Sequence, residues 1–304
     1  MNLLYSKDLK KDEILSLIER AERYLPVVCD RRKVSDAEGK MLATLFYEPS
    51  TRTRFSFEAA MLRLGGMVIS NPHMEYTSSA KKGETLYDTG RVISRIADVI
   101  AMRHPEKGSV EELSKGTTVP VVNAGDGPSD HPTQGLLDLY TIYRSLGRLD
   151  NFTVAMVGDL KYGRVPHAQC ELLSNFAGVD FIFVAPEALQ MPGEIVKDLE
   201  GKGCKVTKTS DLASVMNECD VLALTRIQKE RFENEEEYLK YKGVYVMTPE
   251  LMDKAAPDMI LMHPLPRVDE IEVAVDSDPR AKYFEQVENG VAMRMAVLAD
   301  LLQL

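Results

Sequence analysis

The chain has 304 residues, a length at which polypeptides usually divide into two domains. Hydrophobic residues make up 44% and charged residues 28%, which is typical of globular proteins, and no stretch approaches the roughly 20 apolar residues that span a bilayer. The formal net charge of −10 disfavours nucleic acid or an anionic membrane as the main partner. We therefore expect a cytoplasmic protein with no nucleic-acid or membrane partner.

The four cysteines lie far apart in the sequence, with no Cys-x-x-Cys pair and no His/Cys spacing that suits zinc. This pattern predicts reduced thiols and no metal site.

Helical and strand patterns alternate along the first half of the chain. The predicted elements are a helix over 13–25, a strand over 41–47, a helix from residue 50, a strand near 67–70, a helix over 84–96, strands over 98–102 and 119–123, and a helix over 132–146.

The same alternation continues in the second half. The predicted elements are strands over 152–157, 180–184, 205–207, 220–224, 244–246 and 260–262, helices near 165–176, over 192–201 and over 281–304, and a charged loop over 226–242. The alternation predicts an α/β protein of two doubly wound domains, with parallel sheets flanked by helices.

The most informative motif follows the strand over 41–47, where Pro49 ends the strand and a helix begins. Three hydroxyls, from Ser50, Thr51 and Thr53, two guanidinium groups, from Arg52 and Arg54, and the backbone N–H groups of a helix start are expected to converge there. Such a point suits a doubly charged oxyanion such as phosphate. The alternative is a capped helix whose arginines are solvated.

Further polar clusters come where predicted strands end, which is where doubly wound sheets bind their ligands. They are Arg103, 131–134 (HPTQ), 161–164 (KYGR), 225–228 (TRIQ) and 263–267 (HPLPR).

Seven motifs in order along the chain resemble the aspartate carbamoyltransferase catalytic chain. They are FYEPSTRTR at 46–54, KKGETL at 81–86, MRHP at 102–105, HPTQ at 131–134, GDLKYGR at 158–164, TRIQKER at 225–231 and HPLPRVDE at 263–270. The resemblance implies transfer of the carbamoyl group of carbamoyl phosphate to the amine of L-aspartate, early in pyrimidine biosynthesis, without a cofactor. It also implies a carbamoyl phosphate-binding domain over 1–134, completed by a helix over 285–304, and an aspartate-binding domain over 150–284, linked by interdomain helices.

The resemblance, together with the chemistry of the side chains, assigns the candidate site residues. Carbamoyl phosphate is expected to bind Ser50, Thr51, Arg52, Thr53, Arg103, His131, Gln134 and the backbone carbonyls of Leu265 and Pro266. Within that group, Thr53, Arg103 and His131 would hydrogen-bond the carbonyl oxygen. Gln134 and the two carbonyls would accept from the carbamoyl amide. The catalytic residues are expected to be Arg52, Thr53, Lys82, Arg103 and His131.

Aspartate has two carboxylates, and Arg164, Arg226, Gln228 and Lys82 are the residues expected to bind it. In the family the irregular loop over 77–83 reaches a neighbouring subunit, so Ser78 and Lys82 would serve the adjacent chain of a homotrimer. Ser78 is the weaker match of the two. A separate nucleotide-binding regulatory chain is a further partner that the family allows. Arg231 resembles an arginine that pairs with the equivalent of Glu48.

Rival functions fit less well. An ornithine-type carbamoyltransferase would carry a cysteine at the position of Pro264, and ornithine has no second carboxylate for Arg226. A dinucleotide-dependent dehydrogenase needs a Gly-x-Gly-x-x-Gly order that Gly158 and Gly163 do not supply. A P-loop would need lysine where Arg164 stands, and a non-catalytic scaffold would be expected to have lost a catalytic residue.

One local departure from the family bears on aspartate binding. After Arg164 the chain reads VPHA over 165–168, where relatives more often carry TVHS, so Pro166 replaces a valine. Proline is tolerated in the first turn of a helix, so the helix should form, with some shift in the aim of Arg164.

Overall fold

The computed structural model describes residues 2–128, 130–227 and 235–304, without the side chains of Glu235 and Glu237. The chain forms two compact units. Unit 1 comprises Met1–Tyr140 and Val287–Leu304, and unit 2 comprises Thr141–Gln286.

Unit 1 is built on a parallel sheet in the order β2-β1-β3-β4. Its elements are α1 (Lys11–Cys29), β1 (Met41–Phe46), α2 (Thr51–Arg63), β2 (Met67–Asn71), α3 (Ser78–Lys81), α4 (Leu86–Ile93), β3 (Val99–His104), α5 (Ser109–Gly116), β4 (Val121–Asp126) and the first part of α6 (Pro132–Leu146). The central strands β1 and β3 are mostly apolar and buried, as expected where helices cover a parallel sheet on both faces.

Unit 2 is built on a second parallel sheet in the order β7-β6-β5-β8-β9. Its elements are β5 (Phe152–Val157), α7 (Arg164–Leu173), β6 (Val179–Val184), α8 (Gly193–Gly201), β7 (Val206–Thr209), α9 (Leu212–Val215), β8 (Val221–Leu224), α10 (Glu235–Leu239), α11 (Pro249–Met252) and β9 (Ile260–Met262). The last helix, α12 (Glu285–Leu301), lies mostly in unit 1. The predicted fold class is confirmed: there are two parallel sheets, of four and five strands, flanked by helices.

Three predicted elements differ from the structure. No strand forms over 244–246, because this extended segment has no partner strand, and Met247 makes only an isolated bridge to Ile271. The last helix begins at Glu285, since the backbone near Ala281 pairs instead with Leu261 of β9. The helix predicted over 84–96 is shorter, because Thr85 caps it through the Asp88 N–H and it ends at Ile93.

Strand order reverses once in each sheet, and this places the candidate residues. In unit 1 the chain goes from β1 outward to β2 and returns on the other side of β1 as β3. In unit 2 it goes from β5 through β6 to β7 and returns beside β5 as β8. The loops that follow such a strand pair diverge and leave a crevice, which is where open α/β sheets bind ligands. Within the described residues, no helix is long and apolar enough to cross a membrane.

Candidate active site

The first candidate group stands at the start of α2, after β1. Ser50 occupies the N-cap position in an extended conformation (φ −155°, ψ 94°), and its side chain makes no capping hydrogen bond. A helix start leaves its first N–H groups without acceptors inside the helix. Thr51 and Arg52 are exposed, whereas Thr53 is buried. The predicted helix start is therefore confirmed, and its chemistry suits an oxyanion.

Arg54 does not belong to this group, so the expectation that both guanidinium groups converge is wrong. Its Nη1 lies 3.5 Å from Glu58 Oε1 and donates to Ser70 Oγ at 3.1 Å. The guanidinium also stands 4.9 Å from the ring of Phe55. These contacts, with Glu58 one turn along the helix and with Ser70 of β2, direct Arg54 away from the helix start.

Arg103 ends β3 beside the same loop. It is paired in register with Phe46, and the Tyr47 N–H donates to its carbonyl at 2.8 Å. Its Nε and Nη2 both lie 2.9 Å from Glu48 Oε2, and only 11% of the side chain is exposed. A Cβ on Gly125 would stand 3.3 Å from Arg103 Nη1, so glycine there leaves room for the guanidinium. Glu48 holds Arg103 in place and compensates its charge.

His131 immediately precedes α6 and is buried with 4% exposure. The backbone N–H of His131 donates to the carboxylate of Asp130 at 2.7 Å. Asp130 also accepts from the backbone N–H and the hydroxyl of Ser6, at 2.5 and 2.7 Å. A segment near the N-terminus of the chain thus fixes the backbone that carries His131.

Gln134 lies in the first turn of α6 and is half-buried. Its Nε2 donates to Asp138 Oδ1 at 2.9 Å. Since an ionised carboxylate can only accept, the amide oxygen of Gln134 is the end that remains for a ligand.

In unit 2, Arg164 and Arg226 follow β5 and β8, the two strands between which the order reverses. Both side chains are half-buried. The two loops lie close together, because a Cβ on Gly158 would stand 2.2 Å from the carbonyl oxygen of Thr225, and the Thr225 N–H donates to Val157 at 2.8 Å. The pair of arginines suits a ligand with two carboxylates.

The helix that Arg164 begins does form, as predicted. Pro166 lies in the first turn of α7, where the N–H that it lacks would have no partner in the helix. Its ring packs against Gly163, where a Cβ would stand 3.1 Å from Pro166 Cδ.

The loop after β9 contains Leu265 and Pro266. Two buried side chains, His263 and Glu270, support it. His263 Nδ1 accepts from the Leu265 N–H at 2.9 Å, and its Nε2 lies 2.8 Å from Glu270 Oε1. Because Nδ1 accepts a hydrogen bond, the proton of a neutral ring is on Nε2, facing the carboxylate.

Glu270 is ionised in this setting. Burial would raise the pKa of Glu270, but the His263 hydrogen bond and the N–H groups of Val268 and Asp269 outweigh it and lower the pKa to about 2. Leu265 itself has a positive φ of 54°, an unusual backbone conformation for leucine that the His263 hydrogen bond supports.

The loop over 77–83 is more regular than expected, because Ser78–Lys81 forms one helical turn capped by the Thr77 side chain. Ser78 and Lys82 are exposed, and neither side chain has a hydrogen-bond or ion-pair partner among the described residues of this chain. Gln228 and Arg231 lie outside the described residues. Within the described ranges, no cluster of three or more His, Cys, Asp or Glu side chains could hold a metal ion.

Sequence reasoning missed the residues that support the site from behind: Ser6, Asp130, Asp138 and Glu270. A signal existed for one of them, since Asp138 interrupts the apolar run of α6 four residues after Gln134. Glu270 stands in the motif at 263–270, but no role was predicted for it. Ser6 and Asp130 depend on a contact between segments 124 residues apart, which no local pattern shows.

Comparison with known proteins identifies the family of the chain. The family models for aspartate/ornithine carbamoyltransferase match the chain over residues 1–144 (carbamoyl-P binding domain) and 150–301 (Asp/Orn binding domain). The aspartate carbamoyltransferase catalytic subunit of Methanocaldococcus jannaschii is 48% identical over 302 residues, covering 99% of this chain and 98% of the relative. That of Thermococcus gammatolerans is 48% identical over 292 residues, covering 96% and 94%.

Solved structures show the same likeness. The catalytic subunit of M. jannaschii aspartate transcarbamoylase superposes with a TM-score of 0.93 at 48% identity, covering 99% of this chain and 98% of that one. Aspartate transcarbamoylase from Trypanosoma cruzi, in complex with carbamoyl phosphate and aspartate, superposes with a TM-score of 0.91 at 39% identity, covering 98% and 95%. On its fold, on the position of its polar groups and on these matches, the chain belongs to the aspartate/ornithine carbamoyltransferase family.

Proposed function

We propose that this protein transfers the carbamoyl group of carbamoyl phosphate to L-aspartate, giving N-carbamoyl-L-aspartate and phosphate. The proposal rests on the different side chains that the two sheets present at their strand ends. Unit 1 sets a helix start with hydroxyls and Arg103 at its switch point, which suits a phosphate dianion. In unit 2, Arg164 and Arg226 lie where the strand order of that sheet reverses, and this pair of arginines suits a dicarboxylate.

The residues then have separate roles in the reaction. Thr51, Arg52 and Thr53, with the backbone at Ser50, hold the phosphate. Thr53, Arg103 and His131 donate to the carbonyl oxygen, where negative charge grows as the amine attacks. One such donor typically contributes roughly 3–4 kcal/mol to the transition state.

No protein base is required for the transfer. The amine nitrogen of aspartate bonds to the carbonyl carbon, the bond from that carbon to the phosphate oxygen breaks, and the phosphate leaves with the proton that the amine loses. Gln134 and the carbonyls of Leu265 and Pro266 accept from the carbamoyl amide. Gln228 completes the aspartate group beside Arg226.

An assay with carbamoyl phosphate and either L-aspartate or L-ornithine tests the proposal. We expect carbamoyl-aspartate from the first mixture and no citrulline from the second, because ornithine has an amine where aspartate has its second carboxylate. Citrulline formation, or no product in either mixture, would contradict the assignment. Pro264, where an ornithine-type enzyme would carry cysteine, favours aspartate.

We further propose that the active unit is a cytoplasmic homotrimer in which Ser78 and Lys82 serve the neighbouring chain. The support is the exposure of both side chains and of large apolar residues in unit 1: Phe55 is 53%, Leu62 55% and Tyr76 68% exposed. Aromatic side chains such as those of Phe55 and Tyr76 are enriched at interfaces between chains.

Mixing two inactive variants tests the shared site. In trimers reassembled from Lys82→Ala and Arg52→Ala chains, some interfaces combine an intact Arg52 with an intact Lys82, so activity should return to a substantial fraction of normal. Mixtures as inactive as either parent would place the whole site within one chain.

A further inference from the structure

Gln134 is connected to a pair of charged residues inside unit 1. Its Nε2 donates to Asp138 at 2.9 Å, and Asp138 has no exposed surface. The other member of the pair is Arg294 on α12, which is 3% exposed. Its Nη1 donates to the carbonyl of Gly290 at 3.1 Å, and its guanidinium stands 5.1 Å from the ring of Phe57 on α2.

The two buried residues are charged and attract one another. Burial lowers the pKa of Arg294 to about 10, and the carboxylate of Asp138 opposes that fall, so Arg294 keeps its proton at neutral pH. A carboxylate buried without a cation would instead take up a proton and become a donor. A cation near a carboxyl group favours its ionised form, so Arg294 favours the form of Asp138 that can only accept hydrogen bonds.

A close approach of two helices makes this arrangement possible. A Cβ on Gly290 would stand 2.9 Å from Arg294 Nη1 and 3.1 Å from Leu137 Cδ2 on α6. Glycine at 290 therefore leaves room both for the guanidinium and for the packing of α12 on α6.

Stability does not by itself explain two charged residues buried in the same region, because well-packed apolar residues of similar volume usually serve a core as well or better. We propose that the buried carboxylate of Asp138 positions Gln134 so that its amide oxygen faces the ligand as a hydrogen-bond acceptor, and that Arg294, buried on α12, supports Asp138. Both are positioning residues for recognition of the carbamoyl group, and the inference rests on the function proposed above.

The consequence is selectivity for an amide over a methyl group. The carbamoyl NH₂ donates two hydrogen bonds and needs acceptors. If Gln134 were free to turn over, its own NH₂ would face that group, donor against donor. Acetyl phosphate has a methyl group in place of the NH₂ and gains nothing from the orientation of Gln134, and inorganic phosphate lacks both groups.

The test is a comparison of binding constants for carbamoyl phosphate, acetyl phosphate and inorganic phosphate, measured by calorimetry without aspartate. Replacing both charges together, Asp138→Leu with Arg294→Met, avoids leaving either one unpaired in the core. We expect carbamoyl phosphate affinity to fall about tenfold, the size of one hydrogen bond, while the other two ligands bind as before. Asp138→Asn, which is isosteric and keeps the core filled, should give part of the same loss.

Leu136→Ala is the matched control, since it removes a fully buried side chain of the same helix that is not part of the polar chain. It should lower stability and leave the ratio of the three affinities unchanged. Equal losses for all three ligands in the charge variants, or retained selectivity in Asp138→Asn, would overturn the inference. A wild-type protein that does not prefer carbamoyl phosphate to acetyl phosphate would instead overturn the proposed role of Gln134 and, with it, the proposed function.

Discussion

Unit 1 and unit 2 use the same topological position for different chemistry. In unit 1 the residues over 50–53 follow β1 and Arg103 lies at the end of β3, and the strand order reverses between these two strands; in unit 2 Arg164 and Arg226 follow β5 and β8 in the same way. His131 and Gln134 follow β4 instead. In unit 1 the residues proposed to donate to the carbonyl oxygen are the least exposed: Thr53 and His131 have 8% and 4% exposure, and the side chain of Arg103 is 11% exposed and paired with Glu48, whereas Thr51 and Arg52 are exposed. In unit 2, Arg164 and Arg226 are half-buried ends of loops.

The difference follows from what each group is proposed to do. Charge that develops on the carbamoyl oxygen is stabilised best by donors that are fixed before the reaction, because no free energy is then lost in reorganising them. Recognition of two carboxylates needs two separated cations and tolerates more exposure. Unit 2 also contains a firmly supported loop, the Leu265 loop, which His263 and Glu270 hold.

The largest expected effect is the loss of activity in Arg52→Ala, a variant of unit 1. Removing the guanidinium leaves a dianion without its main counter-charge, so kcat/KM should fall by at least about 10³-fold with the fold intact. Steady-state kinetics and circular dichroism check this. Arg63→Ala, on the same helix but bonded to the Val27 and Arg32 carbonyls, should keep its activity. Near-normal carbamoyl phosphate affinity in Arg52→Ala would refute the assignment.

On the unit 2 side, Arg164→Ala and Arg226→Ala should each raise the KM for aspartate about 10- to 100-fold, the range for a hydrogen bond to a charged group. The KM for carbamoyl phosphate should change little. Separate saturation curves for the two substrates decide the question. The matched control is Arg148→Ala. Arg148 lies shortly before β5, and its guanidinium is paired with Asp220. Equal effects on both substrates would mean that these arginines are misplaced.

The buried pair in unit 2 predicts a pH dependence of stability. The pKa of Glu270 is lowered from 4.5 to about 2 in the folded protein, so its stabilising contribution is fully present above pH 4.5 and is lost as the pH falls towards 2. Glu270→Gln should therefore be less stable than the wild type at pH 7, with the difference narrowing in that acid range. Urea denaturation at a series of pH values measures it. The exposed Glu272→Gln should follow the wild-type curve, and a constant difference for Glu270→Gln across the range would argue against an ionised Glu270.

The smallest expected effect is at Pro166. Pro166→Val should change the KM for aspartate by less than about threefold, because proline already fits the first turn of α7. Stability should fall by about 0.5–1 kcal/mol, through greater freedom of the unfolded chain. Aspartate saturation and thermal unfolding measure the two effects, and a tenfold change in KM would show that the ring aims Arg164.

Elements with a strong local signal were predictable from sequence. The apolar run of β1, ended by Pro49, and the start of α6 at Pro132 lie where the pattern indicates them. The segment over 244–246 misled because β-branched and aromatic residues favour a strand only when a neighbour can pair with it. Tyr245 is instead buried as a single side chain, with its hydroxyl bonded to the Ser210 carbonyl. Helix α5 gave no clear signal, since its polar and apolar residues are mixed.

The same distinction applies to the site. Side chains that would meet the ligand stand in contiguous motifs, and the motifs were found. Their supports come from remote segments: Ser6 contacts Asp130 across 124 residues, and Arg294 reaches the interior near Asp138 from the last helix. Such pairs depend on the tertiary fold, which no local pattern determines.

The central claim is that unit 1 binds the phosphate and unit 2 binds the aspartate. The most direct test is a calorimetric measurement of carbamoyl phosphate binding, without aspartate, to the wild type, Arg52→Ala and Arg226→Ala. If unit 1 takes the phosphate and unit 2 the aspartate, Arg226→Ala will bind carbamoyl phosphate as the wild type does, and Arg52→Ala will show no measurable binding. Loss of binding in Arg226→Ala, or its retention in Arg52→Ala, would contradict the account.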